Sequence, residues 1–308
     1  MNILSNKDNL GHLAEALNHF NHAAVLQGNG TSILEVARTL ADGLNKIQSE
    51  WFVARPELKL GEVAKFQETI LEGLDFQART IFLKSSQLRF LVELQPQIMN
   101  HDILQRCGYR PGALMESELF KKATDVHKNL RRAYDELQSS DSSDVEDRVI
   151  KRSAELLYIV RSNIAHGEKT AFGPNSEKRE RDTRVCTVTV PLQLLLFDLL
   201  LDRPSCKLLV YGTLAPGEVN HSVIADVPGK WQDCRLQGEI GTSSDLPILS
   251  LHTSGKEMCA KFFMSDKLPD HWQRLDQFEG SSYWRSLVPV QTENGMAICN
   301  AYLGRMSH

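Results

Sequence analysis

The stretch LLVYGTLAPGEVNH, residues 208–221, places an abrupt turn at the end of a short apolar run. The run stops at Tyr211, and Gly212 and Thr213 follow it directly. Backbone N–H groups presented where a strand ends form a concave site that suits an anion. The sequence therefore predicts an anion-binding turn at residues 211–214.

A second pattern closes the most regular helical segment of the chain, where Arg161 is followed by Asn163, His166 and Gly167. Five residues of an ideal helix correspond to about 140° of rotation, so Arg161 and His166 do not share a helix face. We expect the helix to fray or turn just before Gly167, which lets His166 swing towards the guanidinium group. The alternative is a histidine favoured at a helix C-terminus by the helix dipole, with Arg161 on a solvated face.

The elements that carry the second pattern are helical. Residues 1 to about 200 alternate helical periodicity with turn signals. Helices are predicted over 31–53, 57–99 (as two helices or one broken helix), 117–137 and 144–167. The charged stretch 168–184 is predicted to be a loop, and Val190-Pro191 to open a leucine-rich helix, because proline is tolerated in a first helical turn.

The elements that carry the turn at 211–214 are strands. After residue 204, short apolar runs alternate with Gly, Pro, Asn and Asp, which is typical of a small, mainly β domain. The runs are LLVYG, RLQGEIG, LPILSLH, MCAKFFMSD, SLVPVQT and AICNAYLG. We therefore predict two domains, a helical domain over 1–203 and a β domain over 207–308.

Residues 208 to about 304 closely resemble the γ-glutamylcyclotransferase-like superfamily, in particular its AIG2-like and γ-glutamylamine cyclotransferase branch. The resemblance rests on Tyr211-Gly212-Thr213-Leu214, Asn220-His221, Leu275-Asp276-x-Phe278-Glu279-Gly280, Tyr283 and Arg285. It implies a small mixed β-barrel of the α+β class, with the turn at the rim of a pocket.

The same resemblance implies the chemistry. The amides of the turn would bind the α-carboxylate of a γ-glutamyl group, with Tyr283 also contacting the substrate. Glu279 would deprotonate the α-amine, which attacks its own γ-carbonyl and forms 5-oxoproline. Such an intramolecular attack needs little beyond orientation and proton transfer, and partial burial raises the pKa of a glutamate towards useful values. In the alternative reading the turn is only structural and Glu279 forms an ion pair with Arg285.

The pattern at residues 161–167 resembles the higher-eukaryote-and-prokaryote nucleotide-binding (HEPN) superfamily, whose members are all-α helical bundles. In that family two such motifs meet across a homodimer and form a cleft that cleaves RNA without a metal. By resemblance, His166 would move the proton of a ribose 2′-hydroxyl and Arg161 would stabilise charge on the phosphate. Asn163 would orient the histidine or the phosphate.

Composition limits the remaining possibilities. The chain has 308 residues and a net charge of −4, so no global basic field attracts nucleic acid and any RNA contact must be local. Six widely spaced cysteines without a C-x-x-C pair indicate reduced thiols and a cytoplasmic location. The most apolar run, residues 191–201, is too short to span a bilayer, so no membrane association is expected. No cofactor and no metal are expected.

Three functional hypotheses follow. The first is an endoribonuclease of the toxin or defence type, fused to a domain that binds or processes γ-glutamyl groups. The second is a metabolic γ-glutamyl(amine) cyclotransferase, whose helical domain serves only for dimerisation. The third is a non-catalytic interaction or regulatory protein. The expected partners are a second copy of the chain through the helical domain, an RNA substrate, a small γ-glutamyl compound and an antitoxin or regulatory protein.

Overall fold

The computed structural model describes residues 21, 33–53, 60–94, 118–140, 142–165, 176–243, 246–251 and 256–304. The chain divides into two compact units, with the change from one to the other between Leu200 and Leu201. The first unit is helical and the second is built on a β-sheet, as the change in sequence pattern predicts.

The described helices of the first unit are α1 (Ile33–Val53), α2 (Glu62–Gly73), α3 (Phe76–Leu83), α4 (Ser86–Glu93), α5 (Glu118–Leu137), α6 (Ser143–Ala165) and α7 (Ser176–Leu200). Helix α6 packs against α1, α2 and α5, and α7 packs against α1 and α4. Most apolar positions at helical spacing in α1 and α6 are buried, whereas Ile33 is half-buried. The buried ones are Val36, Leu40, Leu44, Ile47, Val145, Val149, Ile150, Leu156, Leu157 and Val160. Burial of one face of each helix thus holds the bundle together.

The segment predicted as two helices or one broken helix contains three short helices, α2 to α4. Each of the two later helices begins with a side-chain cap, because Asp75 accepts a 2.8 Å hydrogen bond from the amide of Ala78 and Ser85 accepts one of 3.1 Å from the amide of Leu88. Such caps satisfy N–H groups that have no partner in the first turn. The two extra helix starts are therefore encoded locally.

Helix α7 corrects two sequence predictions. Residues 176–184, predicted as part of a charged loop, form its first turns, and Pro191 lies inside the helix rather than at its start. Proline removes one helical hydrogen bond, but its ring is on the exposed side while residues before and after it are buried. Asp182–Leu200 is long and apolar enough to cross a membrane by length and composition alone, but 56% of it is buried within the protein, and a core helix passes the same test.

The described residues of the second unit form six strands, β1 (Lys207–Val210), β2 (Lys230–Ser243), β3 (Leu246–Leu251), β4 (Glu257–Met264), β5 (Tyr283–Thr292) and β6 (Gly295–Gly304). They form one sheet in the order β3-β2-β4-β1-β6-β5, and a further pairing of β2 with β5 closes it into a small barrel. Strand β1 pairs with β6 in parallel, whereas the other pairs are antiparallel. All six predicted strands are present, and the sheet is mixed.

Strand β1 lies in the middle of the sheet and is buried along its whole length. Leu208 and Val210 belong to one apolar cluster, together with the helix α8 (Trp272–Glu279), whereas Leu209 belongs to the cluster on the opposite face. This alternation is the period of two expected of a strand. The turn at residues 211–214 begins where this buried strand ends, so its position is determined by the core.

Candidate functional site

A cavity of about 250 Å³ opens at the end of β1. It is lined by residues of β1, the turn, α8, the following turn and strands β5 and β6: Leu208, Leu209, Val210, Tyr211, Gly212, Thr213, Leu214, Asn220, Phe278, Glu279, Ser282, Tyr283 and Tyr302. Small-molecule sites usually measure roughly 300–1,000 Å³, so this cavity lies just below that range and suits a small ligand. No lysine, arginine or histidine is among the lining residues.

The turn contributes unpaired backbone donors to this cavity. Among the residues that the structure describes, the amide N–H groups of Gly212, Thr213 and Leu214 donate no hydrogen bond to another protein group. The amide of Ala215 closes the turn by donating to the carbonyl of Gly212 at 3.1 Å. Adjacent backbone donors of this kind form an anion-binding concavity.

Glu279 is the last residue of α8. Gly280 follows with φ of 64°, a left-handed conformation that favours glycine, and ends the helix there. The Glu279 side chain is half-buried, and among the described residues it has no ion pair. Burial alone raises the pKa of this carboxyl to about 7. A carboxyl without a cation in a partly apolar cavity can exchange a proton near neutral pH.

The other carboxylate on α8 is fully engaged. Asp276 accepts hydrogen bonds from Arg285 at 3.2 Å and from the hydroxyl of Tyr302 at 2.7 Å. The Arg285 guanidinium also lies 4.4 Å from the centroid of the Trp272 ring, in the geometry of a cation–π contact. The alternative in which Arg285 pairs with Glu279 is therefore wrong, because Arg285 pairs with Asp276.

Three tyrosines surround the carboxyl of Glu279 in the cavity. Burial is the main cause that raises the pKa of Tyr211, Tyr283 and Tyr302, and the negative charge of Glu279 adds to the rise at each of them. The hydroxyl of Tyr211 donates to the carbonyl of Tyr302. These phenols are neutral at physiological pH, so each can act as a hydrogen-bond donor.

The cavity brings together the residues named for the β domain, Tyr211, Gly212, Thr213, Leu214, Glu279 and Tyr283. Sequence reasoning did not assign a site role to Asn220, Phe278, Ser282 or Tyr302, which also line it. Asn220 and Phe278 lie within the motifs that carry the family resemblance, so a signal for them was present. Ser282 and Tyr302 lie in stretches where the register of the sheet decides which side chains face the cavity.

The residues named in the helical domain are only partly described. Arg161 and Asn163 lie in the last turns of α6, which ends at Ala165. His166 lies outside the described residues. The geometry of the predicted ribonuclease site therefore stays a prediction.

Comparison with known protein families supports the resemblance predicted for the β domain. Residues 208–307 match the family model described as gamma-glutamyl cyclotransferase, AIG2-like. No curated protein matches the chain.

Two solved structures are similar to part of the chain. YkqA from Bacillus subtilis is 26% identical over 33% of this chain and 36% of its own, with a TM-score of 0.28. An uncharacterized protein from Pyrococcus horikoshii is 22% identical over 33% of this chain and 79% of its own, with a TM-score of 0.26. The chain thus spans about a third of the length of YkqA. From the family match, residues 208–307 form an AIG2-like domain of the gamma-glutamyl cyclotransferase family.

Proposed function

We propose that the C-terminal domain binds a γ-glutamyl compound and cyclises it, releasing 5-oxoproline. The observation that carries this proposal is that the unpaired carboxyl of Glu279 and the free amides of the turn line the same small cavity. The carboxyl of Glu279 can accept a proton, and the amides of the turn can bind an anion. A γ-glutamyl group offers both, because its α-ammonium can give up a proton and its α-carboxylate is an anion.

In this proposal the amides of Gly212, Thr213 and Leu214 hold the α-carboxylate. Glu279 takes a proton from the α-ammonium, and the freed amine attacks the γ-carbonyl carbon. A new C–N bond closes the five-membered ring and the bond to the departing amine breaks. The proton held by Glu279 passes to the leaving amine, and the regenerated carboxylate then takes the second proton from the ring nitrogen. That proton also goes to the departing amine, which leaves as an ammonium ion, so no water is consumed and the carboxylate is free again.

The environment of Glu279 supports this role. A general base works best when its pKa lies near the working pH, and burial raises the pKa of Glu279 to about 7. The cavity walls are largely apolar or aromatic, and Phe278 is 41% exposed at the helix end that carries Glu279. Holding the amine and the carbonyl of one molecule together supplies most of the remaining rate enhancement.

The test is release of 5-oxoproline from a panel of γ-glutamyl amines and γ-glutamyl amino acids by the full chain. Glu279→Gln keeps the shape of the side chain but cannot accept the proton, so we expect kcat/KM to fall by at least roughly 100-fold. Glu218→Gln, at an exposed position in the loop after the turn, is the matched control and should leave the rate unchanged. Full activity of Glu279→Gln would refute the role of this carboxylate. If the wild-type chain releases no 5-oxoproline but binds a γ-glutamyl compound, a non-catalytic binding role replaces it.

For the helical unit we propose, as a second function, RNA cleavage by a homodimer. Support comes from the sequence pattern of Arg161, Asn163 and His166, and from helix α6, which carries the first two of these residues. Incubation with total RNA should give cleavage by the wild type and none by His166→Ala, with the dimer verified by light scattering. Equal cleavage by both proteins would remove the ribonuclease function. A dimer without cleavage would leave the helical unit as an assembly platform for the cyclotransferase.

A further inference from the structure

We propose that Asn220 and His221 are positioning residues that hold the turn at 211–214 in the orientation that binds a carboxylate. This inference rests on the proposed γ-glutamyl function and extends it to two residues that lie in the resemblance motifs but have no assigned role in the site.

Three successive carbonyl groups of the turn each accept one hydrogen bond. The carbonyl of Gly212 accepts from the amide of Ala215 at 3.1 Å, and that of Thr213 accepts from the amide of Asn220 at 3.0 Å. The carbonyl of Leu214 lies 3.0 Å from Nδ1 of His221. A carbonyl oxygen can only accept, so Nδ1 of His221 carries the proton.

These bonds determine where the free amides point. In a trans peptide the C=O and the N–H of the next residue lie in one plane and point in opposite directions. The bond to the Gly212 carbonyl therefore fixes the N–H of Thr213, and the bond to the Thr213 carbonyl fixes the N–H of Leu214. The bond from His221 fixes the next peptide plane, whose N–H closes the turn. Two anion-binding amides are thus oriented before any ligand arrives.

The Asn220 side chain makes the hydroxyl of Thr213 available as a third donor in the site. Its Nδ2 donates to Oγ1 of Thr213 at 2.9 Å, and Asn220 also lines the cavity. Because Oγ1 accepts this bond, the hydroxyl proton of Thr213 remains available for another acceptor. A carboxylate in the cavity is the natural acceptor for it.

The His221 side chain is held in place by contacts that reach the core. The His221 ring packs edge-on against Trp231, with 5.6 Å between the ring centroids, and Trp231 packs against Phe263 at 4.6 Å. Phe263 is 1% exposed. The position of the imidazole therefore depends on a buried aromatic contact and not on the loop alone.

Orientation matters here because the cavity offers no cation. No lysine, arginine or histidine is among its lining residues, so a bound carboxylate is stabilised only by neutral donors. Neutral donors stabilise a charge strongly only when they are already aligned and need no reorganisation. Losing the alignment should therefore weaken binding of the carboxylate specifically.

The experiment measures binding of two probes to the full chain by calorimetry, 5-oxoproline and its carboxamide, which lacks the negative charge. His221→Phe keeps an aromatic ring against Trp231 but cannot donate, and Asn220→Ala removes the donor to Thr213 without adding a charge to the cavity. Both should weaken 5-oxoproline binding by roughly 10-fold or more, the loss expected for a hydrogen bond to a charged group, and leave the carboxamide within about threefold. His221→Asn restores a donor near the position of Nδ1 and should recover most of the affinity. Ser222→Ala, at an exposed neighbouring position, is the control and should bind like the wild type.

In turnover, His221→Phe and Asn220→Ala should raise KM while changing kcat much less. A merely structural role would weaken both probes equally, and that result would overturn the inference. If His221→Phe does not fold, Asn220→Ala decides alone, because it removes only the side-chain donor and keeps the backbone bond to Thr213. A wild type that binds neither probe would instead overturn the proposed γ-glutamyl function itself.

Discussion

The helix α8 presents two carboxylates in opposite situations, three residues apart. Asp276 is held by Arg285 and by the Tyr302 hydroxyl, whereas Glu279 faces the cavity and has no ion pair among the described residues. The same helix thus carries one carboxylate that fastens the structure and one that is left available for chemistry.

The difference shows how one arginine separates the two roles. Arg285 stacks on Trp272, and this contact holds the guanidinium beside Asp276. Because Arg285 is engaged there, it cannot neutralise Glu279, and burial raises the pKa of Glu279 to about 7. Carboxyl groups with a raised pKa in a cleft are typical of functional sites, and here the nearby arginine pairs with Asp276 instead.

The largest effect that tests this contrast is the pH dependence of stability at Glu279. Its pKa of about 7 in the folded chain lies above the ordinary value of about 4.3 expected after unfolding. The folded state therefore binds this proton more tightly than the unfolded state does, and ionisation of Glu279 destabilises the fold. This destabilisation is absent below about pH 4, grows up to about pH 7 and is complete above it.

Glu279→Gln lacks this destabilisation. At pH 8 it should be more stable than the wild type, by on the order of 3 kcal/mol, and at pH 4 the two should be equal. Urea unfolding followed by tryptophan fluorescence measures this, because three of the four tryptophans lie in the barrel: Trp231, Trp272 and Trp284. An equal difference at both pH values would show that Glu279 is an ordinary, solvated carboxylate.

The next effect concerns the engaged carboxylate. Arg285→Met removes the ion pair to Asp276 and the contact with Trp272. The two charged side chains are 32% and 43% exposed, so solvent weakens their interaction, and we expect a loss of about 1–2 kcal/mol in the free energy of unfolding.

The matched control is Arg274→Met. Arg274 makes two hydrogen bonds of 2.8 Å to Asp226, but that carboxylate is 59% exposed, and among the described residues Arg274 stacks on no aromatic ring. The free energy of unfolding should therefore fall less for Arg274→Met than for Arg285→Met, although the hydrogen bonds of Arg274 are the shorter ones. A larger loss from Arg274→Met would mean that the stacking on Trp272 contributes nothing.

The smallest effect is expected at Tyr302. Tyr302→Phe removes one 2.7 Å hydrogen bond to Asp276 and leaves the bonds from Arg285 in place. Asp276 is 43% exposed, so solvent weakens this hydrogen bond to a charged group and we expect it to contribute about 1 kcal/mol. Thermal unfolding should therefore report a loss below that of Arg285→Met. An equal or larger loss would indicate that the hydroxyl, and not the arginine, holds Asp276.

The sequence was a good guide to the barrel for a physical reason. Its strands alternate between two buried faces and are separated by turn residues, and the turn at 211–214 follows the buried strand β1 directly. The motif that ends in Glu279 and Gly280 also marks the end of α8, because glycine there adopts a left-handed conformation. These features are local, so a single sequence reveals them.

Two other features were not local. Arg285 is closer in sequence to Glu279 than to Asp276, and only the direction of β5 relative to α8 decides which carboxylate it reaches. Pro191 was interpreted as a helix start, but burial of Leu192, Leu196 and Phe197 after it, and of Val185 and Val190 before it, holds one helix through the proline. In both cases tertiary packing outweighs a local preference.

The most direct test of the account is an NMR titration of the glutamate side chains in the full chain labelled with ¹³C at the carboxyl carbons, with Glu279→Gln identifying the relevant signal. The account predicts one glutamate that titrates near pH 7, is missing from Glu279→Gln and shifts when 5-oxoproline is added. A Glu279 signal that titrates between about pH 4 and 5, with no response to 5-oxoproline, would contradict it.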